Sequence, residues 1–240
     1  MPKIEVKNLS VTYLGKKRQE YPALKDVTCV FEDGEISALM GESGSGKTTL
    51  FRALSSQLAY DGVILSDGKD ITKMRLKDRR VSYVMQEFAL YPHLTVYDNL
   101  AFPLKIERQS YETIDENVMK MAKDLGIEFL LSRKPRQLST GQIQKVCLGR
   151  ALIKKPDLVL LDEPLSNVDP LHKKDVLVTI KRMLLASKST AIYITHNLKE
   201  AIYVSSKVYC LEDGRLSWIK PSAELGEVDP SYVFDGEGRQ

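Results

Sequence analysis

Apolar and polar residues alternate along Ile4 to Tyr13 and again along Ala23 to Phe31, the period-two pattern of half-buried strands. Between them "YLGKKRQEYP" is a polar connection, and "EDG", Glu32 to Gly34, is a turn signal. "EISALMG" reads as a short apolar strand that runs directly into "GESGSGKTTL", Gly41 to Leu50. Beyond it, "TTLFRALSSQL" places Leu50, Leu54 and Leu58 on one helical face. "VSYVMQ", Val81 to Gln86, predicts another strand. From about Phe88 to Lys155 the pattern turns mostly helical, most clearly in "ENVMKMAKDLGI" and "GQIQKVCLGRALI". "DLVLLDEP" is then an almost uninterrupted apolar run, typical of a parallel strand covered on both faces. "STAIYITH" and "KVYCLEDG" add two strands. This order predicts an α/β core interrupted by a helical insertion. One domain is expected over residues 1–225, with 1–87 and 156–220 as its β-rich core and about 88–155 as its helical part. Residues 226–240 read as a polar tail that ends loosely.

Composition narrows the function classes without choosing one. The 240 residues are 43% hydrophobic and 28% charged, and the formal charge of +3 is too small to argue for a nucleic-acid surface. No run of eighteen apolar residues occurs, and the N-terminus lacks the apolar segment of a signal peptide. Those features predict a cytosolic chain. Cys29, Cys147 and Cys210 lie far apart among apolar neighbours, with no spacing that suggests a metal site. They read as small buried hydrophobes in a reducing compartment.

"GESGSGKT" matches the phosphate-loop pattern G-x-x-x-x-G-K-[ST], with Gly41, Gly46, Lys47 and Thr48 at its defining positions. Glycines let the backbone of Gly41, Glu42, Ser43, Gly44, Ser45 and Gly46 turn its N–H groups toward an anion, and the following helix N-terminus with Thr48 and Thr49 adds positive potential. Lys47 can reach the β- and γ-phosphates of a nucleotide, and the Thr48 hydroxyl can ligate Mg²⁺. "LVLLDEP" ends a buried strand in two adjacent carboxylates, and acids at such a place are expected to meet a cation or a reacting group. Asp162 suits Mg²⁺ coordination, and Glu163 suits polarising a water for attack on the γ-phosphate. A guanine-reading N-K-x-D motif is absent from the sequence, which favours ATP. Tyr13 is a candidate platform for stacking adenine, and its spacing suits a core-packing strand tyrosine nearly as well.

"QLSTGQIQKVCLGRAL", Gln137 to Leu152, resembles the L-S-G-G-Q signature of ATP-binding cassette proteins. Leu138, Ser139, Gly141 and Gln142 match it, and Thr140 replaces a glycine. Ser139 is a good helix N-cap, and Ile143, Val146, Cys147 and Ala151 share an apolar face. Gln86 resembles the family's glutamine loop, near the Mg²⁺ site. "SNVD", Ser166 to Asp169, resembles its D-loop, and His196 in "YITHNLKEA" its switch histidine. The resemblance covers nearly the whole chain. It implies a P-loop NTPase (RecA-like) core with an N-terminal antiparallel β subdomain and an inserted α-helical subdomain. It also implies catalytic roles for Lys47, Glu163 and His196, and Mg²⁺ contacts from Thr48, Gln86 and Asp162. Two cassettes would pack head to tail, as a homodimer or with a paralogue. Ser139, Gly141 and Gln142 of one would then face the ATP held by the other.

Within that family, "QEFALYPHLTVYDNLAFPLK", Gln86 to Lys105, resembles the region through which importer ATPases for sugars and related polar solutes receive a membrane permease. Phe88, Leu90, Tyr91, Leu94, Val96 and Tyr97 offer apolar material for such a groove, and some of them must serve the helical core instead. The expected assembly is peripheral on the inner face of the cell membrane, with permease subunits and an extracytoplasmic solute-binding protein. The chain ends shortly after "EDGRLSWIKPSAEL", where sugar-importer ATPases usually continue into a β-rich regulatory domain. Asn197 follows the histidine where importers often have aspartate. Exporter-type or lipoprotein-handling cassettes, and soluble cassette ATPases, are the alternatives.

Overall fold

The computed structural model describes residues 2–15, 19–75, 78–87, 89–229 and 233. Two sheets carry the fold. Strands β1 (Ile4–Leu14), β2 (Glu20–Phe31), β4 (Asp61–Ser66) and β5 (Lys69–Asp70) form an antiparallel sheet in the order β2-β1-β4-β5. The second sheet runs β10-β9-β3-β8-β7-β6. Its strands β3 (Ile36–Met40), β6 (Val81–Val84), β7 (Leu158–Asp162), β8 (Thr190–Ile194) and β9 (Lys207–Glu212) are parallel, and β10 (Arg215–Pro221) returns antiparallel to β9.

The central strands β7 and β8 are buried on both faces, and their side chains divide by parity. Leu158, Leu160, Ile192 and Ile194 join the core formed with α1 (Lys47–Leu54) and the antiparallel sheet. Val159, Leu161, Ala191 and Tyr193 face the opposite core, built with α2 (Val96–Ile106), α3 (Tyr111–Leu125), α4 (Thr140–Leu152) and α5 (Pro170–Ser187). Such strands read as continuous apolar runs because polar residues would meet no water on either side. The expected helical insertion is present, as α2 to α4. The N-terminal antiparallel sheet and the P-loop core are also as the family resemblance implied.

Local chemistry adjusts several boundaries. α1 stops at Leu54 rather than continuing to Leu58. There the Ser55 hydroxyl donates to the Phe51 carbonyl at 2.8 Å, and Ser56 takes a left-handed φ of 58°. Leu58 still packs on the core. In α4, Ile143 and Ala151 are only partly buried while Leu148 and Leu152 are inside. The helix is enclosed by α2, α3 and α5, so its buried surface exceeds one stripe; a Cβ at Gly149 would lie 2.6 Å from Leu125 and 2.9 Å from Leu100. The stretch holding β4 and β5, together with β10, α5 and α6 (Leu198–Val204), is assigned no element by the apolar pattern above. From the expected loose tail, Val228 and Val233 pack against the helical core, and residues 230–232 and 234–240 lie outside those described. All three cysteines are buried and free. Among the described residues, no helix is long and apolar enough to cross a membrane.

Leu160 is fully buried at the centre of the parallel sheet. Leu160→Ala is expected to lower stability by about 2–5 kcal/mol through lost burial and the remaining cavity. Urea unfolding should show a lower midpoint with an unchanged slope.

Candidate active site

Because β3, β6, β7 and β8 run parallel, their C-terminal ends lie at one edge of the sheet, where open α/β sheets bind ligands. β3 leads into the glycine loop. β7 delivers Asp162 and Glu163, β8 delivers Thr195 and His196, and β6 delivers Met85 and Gln86.

Two of the loop's glycines leave no room for a side chain. A Cβ at Gly41 (φ 149°) would lie 2.2 Å from the Leu211 carbonyl oxygen, and one at Gly46 (φ 107°) 2.6 Å from that of Ala23. Lys47, the first residue of α1, is 7% exposed and donates from Nζ to the carbonyls of Gly41 at 2.8 Å and Glu42 at 2.7 Å. Burial lowers its pKa, while Glu163 and Asp162 act in the opposite direction. Ser45 Oγ is buried with no protein partner.

Asp162 Oδ2 gathers two hydroxyls. It accepts from Tyr83 at 2.8 Å and from Thr48 at 3.3 Å. Burial, followed by the hydrogen bond to Asp162, raises the Tyr83 pKa, so this phenol is a fixed donor. Glu163 adopts a left-handed φ of 44°, and its N–H donates to Ile194 O at 3.1 Å. Its Oε2 lies 3.7 Å from Nδ1 of the exposed His196. Thus Lys47, Thr48, Asp162, Glu163 and His196 share one edge. The Tyr13 hydroxyl reaches Thr49 Oγ1 at 3.4 Å and keeps its ring 38% exposed beside α1. Gln86 is exposed, and its carbonyl accepts from Asn167 Nδ2 at 3.0 Å.

The predicted signature residues stand elsewhere. Ser139 caps α4, accepting from the Gln142 N–H at 3.3 Å, and Gln142 Oε1 accepts the Ser139 N–H at 3.0 Å. Ser139, Gly141 and Gln142 line a cavity of 140 Å³ with Phe129 and His172. It shares no residue with the 670 Å³ cavity that Gly41 to Ser45 line together with His196, Cys210 and Trp218.

Of the apolar residues expected in a partner groove, Tyr91 lines a 330 Å³ cleft with Met85, Phe102, Pro103, Ile106 and Arg150. Val96 is fully buried, Leu90 and Tyr97 pack against the helical core, and Leu94 is half-buried. Phe88 lies outside the described residues. Helical spacing explains this sorting, because α2 begins at Val96 and turns that face inward. Tyr83, Cys210 and Trp218 escape motif reading. The pairing of β6 with β7, of β9 with β3, and of Trp218 on β10 with Cys210 on β9 bring them to the site. Burial pushes the Cys210 thiol up to about 11, so it is a poor nucleophile there.

The residues fit a nucleotide with Mg²⁺. Side-chain-free loop backbone and the unpartnered Ser45 hydroxyl suit phosphate oxygens, and the hard oxygens of Thr48 and Asp162 suit Mg²⁺. Among the described residues, no group of three or more His, Cys, Asp or Glu could hold a metal alone. Mg²⁺ usually keeps waters and substrate phosphates as its remaining ligands.

A strand–glycine loop–helix on a parallel sheet, with paired carboxylates on a nearby strand, defines a P-loop nucleotide-binding protein. Residues 24–166 match the ABC transporter family, and the chain belongs to it. It is 36% identical to the osmoprotective compounds uptake ATP-binding protein of Synechocystis, over 95% of this chain and 62% of that one. It is 37% identical to the sn-glycerol-3-phosphate import ATP-binding protein of Rhizobium meliloti, over 98% and 66%. The trehalose/maltose import ATP-binding protein of Thermococcus litoralis is 38% identical, over 89% and 58%. The chain thus spans 58% to 66% of the length of these relatives. Among solved structures, a dimeric ATP-binding cassette in a post-hydrolysis state with ADP and Pi superposes with a TM-score of 0.80 at 26% identity, over 91% of this chain and 98% of that one.

Behind His196 lies a buried carboxylate. Glu200 Oε2 accepts from Thr195 Oγ1 at 2.8 Å and Tyr193 OH at 3.1 Å. Burial raises its pKa, against the hydroxyls of Thr195 and Tyr193 and the charge of Lys173. The folded chain therefore keeps a proton that the unfolded chain has released. Glu200's contribution to stability is largest below the ordinary glutamate range and is lost as pH rises through the raised value. Glu200→Gln is expected to flatten that decline. Glu200→Ala, which removes the buried acceptor of the Tyr193 and Thr195 hydroxyls, is expected to cost about 2–4 kcal/mol. Urea midpoints measured between about pH 4 and 8 test both.

Proposed function

We propose that this chain is the ATP-hydrolysing subunit of a membrane importer for a sugar or another polar solute, acting as one of two paired cassettes. The convergence of Lys47, Thr48, Asp162, Glu163 and His196 on one sheet edge carries the reading. The loop from Gly41 to Thr49 wraps the phosphates, and Lys47 Nζ exchanges the carbonyls of Gly41 and Glu42 for β- and γ-oxygens. Thr48, Asp162 and, through its side chain, Gln86 would hold Mg²⁺, which when bound would supply neutralisation of phosphate charge. Glu163 orients a water and draws its proton as the water attacks, and His196 steadies the γ-phosphate and the Glu163 side chain. Tyr13 stacks on adenine.

One chain completes only part of this site. Ser139, Gly141 and Gln142 sit at a capped helix start, a position suited to an anion brought by another molecule. In a head-to-tail pair that anion is the γ-phosphate held by the partner chain. ATP then bridges the pair, and hydrolysis removes the contacts that close it.

Import is supported by the relatives, whose names specify uptake of osmoprotective compounds, glycerol phosphate and trehalose or maltose. The cleft lined by Met85, Tyr91, Phe102 and Ile106 suits a short amphipathic segment of a permease. The chain would then work at the cytoplasmic face of the membrane, and a solute-binding protein on the far side would supply the substrate.

Glu163→Gln is expected to keep ATP affinity, lose hydrolysis by at least about 10²-fold and form a stable dimer with Mg-ATP. A monomer by light scattering at saturating Mg-ATP, with the permease present, would sink the paired mechanism. Purification of the tagged variant from solubilised membranes should bring polytopic proteins and a solute-binding protein. Recovery of ribosomal or only soluble partners would overturn transport while keeping the ATPase.

A further inference from the structure

Thr140 occupies the signature position where a glycine is usual, and its hydroxyl is engaged. The backbone N–H of Asp169 donates to Thr140 Oγ1 at 3.2 Å, across 29 residues of sequence. Asp169 is the N-cap of α5, its Oδ1 accepting the Leu171 N–H at 2.9 Å. The N–H of an N-cap residue has no partner inside its own helix. A glycine at position 140 would leave that N–H to water.

The other end of the same short loop is fastened to the catalytic edge. The Glu163 carbonyl accepts from the Ser166 N–H at 3.1 Å and from the Ser166 hydroxyl at 2.9 Å. Asn167 Nδ2 holds the Gln86 carbonyl at 3.0 Å. Residues 163–169 therefore run from Glu163 and Gln86 at one end to the first residue of α4 at the other. Beside that bond α4 already lies against α5: a Cβ at Gly141 would meet His172 and Val176 at 3.2 Å. Packing sets the distance between the two helices. The Thr140 bond adds direction, fixing how the start of α4 is turned relative to the loop.

We propose that Thr140 is a positioning residue that couples the two ATP sites of a cassette pair. It makes the α4 start, presented to the partner's nucleotide, follow the loop that holds this chain's Glu163. The inference rests on the paired-cassette reading above. On each chain the carboxylate edge serves its own ATP, whereas Ser139 and Gly141 serve the opposite one. A shift of Glu163 or Gln86 on loss of the γ-phosphate pulls on Ser166 and Asn167. Through Asp169 and Thr140 it then tilts the helix start that the other nucleotide touches. The β-branched side chain holds few rotamers, so its hydroxyl transmits direction.

Three variants of the full chain test this. Thr140→Ser keeps the hydroxyl, Thr140→Val keeps the shape without an acceptor, and Thr140→Gly restores the usual residue. Without nucleotide, amide exchange at Asp169 is expected to speed up by about three- to tenfold in Thr140→Val and Thr140→Gly, and to stay slow in Thr140→Ser. The Hill coefficient for ATP hydrolysis should fall from above one toward one in Thr140→Val and return in Thr140→Ser, with ATP affinity at the phosphate loop unchanged. Unchanged exchange in Thr140→Val, or equal cooperativity in that variant and the wild type, overturns the coupling. A Glu163→Gln chain that stays monomeric with Mg-ATP refutes the pairing itself, and the coupling falls with it. The amide result identifies which of the two ideas has failed.

Discussion

The phosphate loop is confined between two sheets, and that confinement governs what its backbone can do. Leu211 of β9 presses on Gly41 from one side, and Ala23 of β2 presses on Gly46 from the other. The β9–β10 turn completes the clamp: the Gly214 N–H donates to Ser45 O at 3.1 Å, and the Lys25 N–H donates to Gly214 O at 2.7 Å. Side chains are excluded at both contacts, which keeps the backbone of Gly41 and Gly46 bare. The antiparallel sheet is thus part of the site, although Tyr13 is the one residue that motif reading takes from it. A change that loosened β2 or the turn at Asp213 and Gly214 would relax the loop without touching a catalytic group.

The same edge carries a balance of charge. Lys47 is nearly buried, a costly place for an ammonium unless carbonyls and anions surround it. Two carbonyls hold it, and Asp162 and Glu163 lie near enough to favour its charged form. Asp162 is restrained in turn by Tyr83 and Thr48, and Glu163 by its own N–H on β8 and by His196. These tethers come from four strands and one helix. The geometry is therefore set by sheet register, and little reorganisation remains when a charged substrate enters.

Much of this architecture was legible in the linear pattern, for physical reasons. Strands buried on both faces must be apolar throughout, so "DLVLLDEP" and "STAIYITH" announce themselves. The glycine loop is legible because few residues tolerate its backbone and its contacts. Where sequence reading fell short, tertiary context decided. The core contribution of Val96 and Tyr97 depends on where α2 begins, which Thr95 sets by capping Asp98. α5 carries capping and proline signals at Asp169 and Pro170, yet its interior mixes lysines with the buried Val176, Ile180 and Leu184, which blurs the apolar stripe. Tyr83 looks like an ordinary strand residue, and only the neighbour relation between β6 and β7 gives its hydroxyl a carboxylate.

The signature helix is the part of the proposed pair's site that one chain offers to the other. Its capping box satisfies the N–H groups of Ser139 and Gln142 from within. The amides of Thr140 and Gly141 have no such internal partner, because an α-helix leaves its first amides unpaired. Ser139, Gly141 and Gln142 line a small cavity that is far in sequence and separate in lining from the phosphate loop of the same chain. In the pair proposed above, the helix start of one chain meets the phosphate loop of the other. The short loop from Glu163 to Asp169 is the covalent link between these two half-sites. Asn167 and Asp169, near its far end, bond to Gln86 and Thr140, and Ser166 bonds back to the Glu163 carbonyl at its start. In the pair proposed above, communication between the sites follows from where the half-sites lie on one chain.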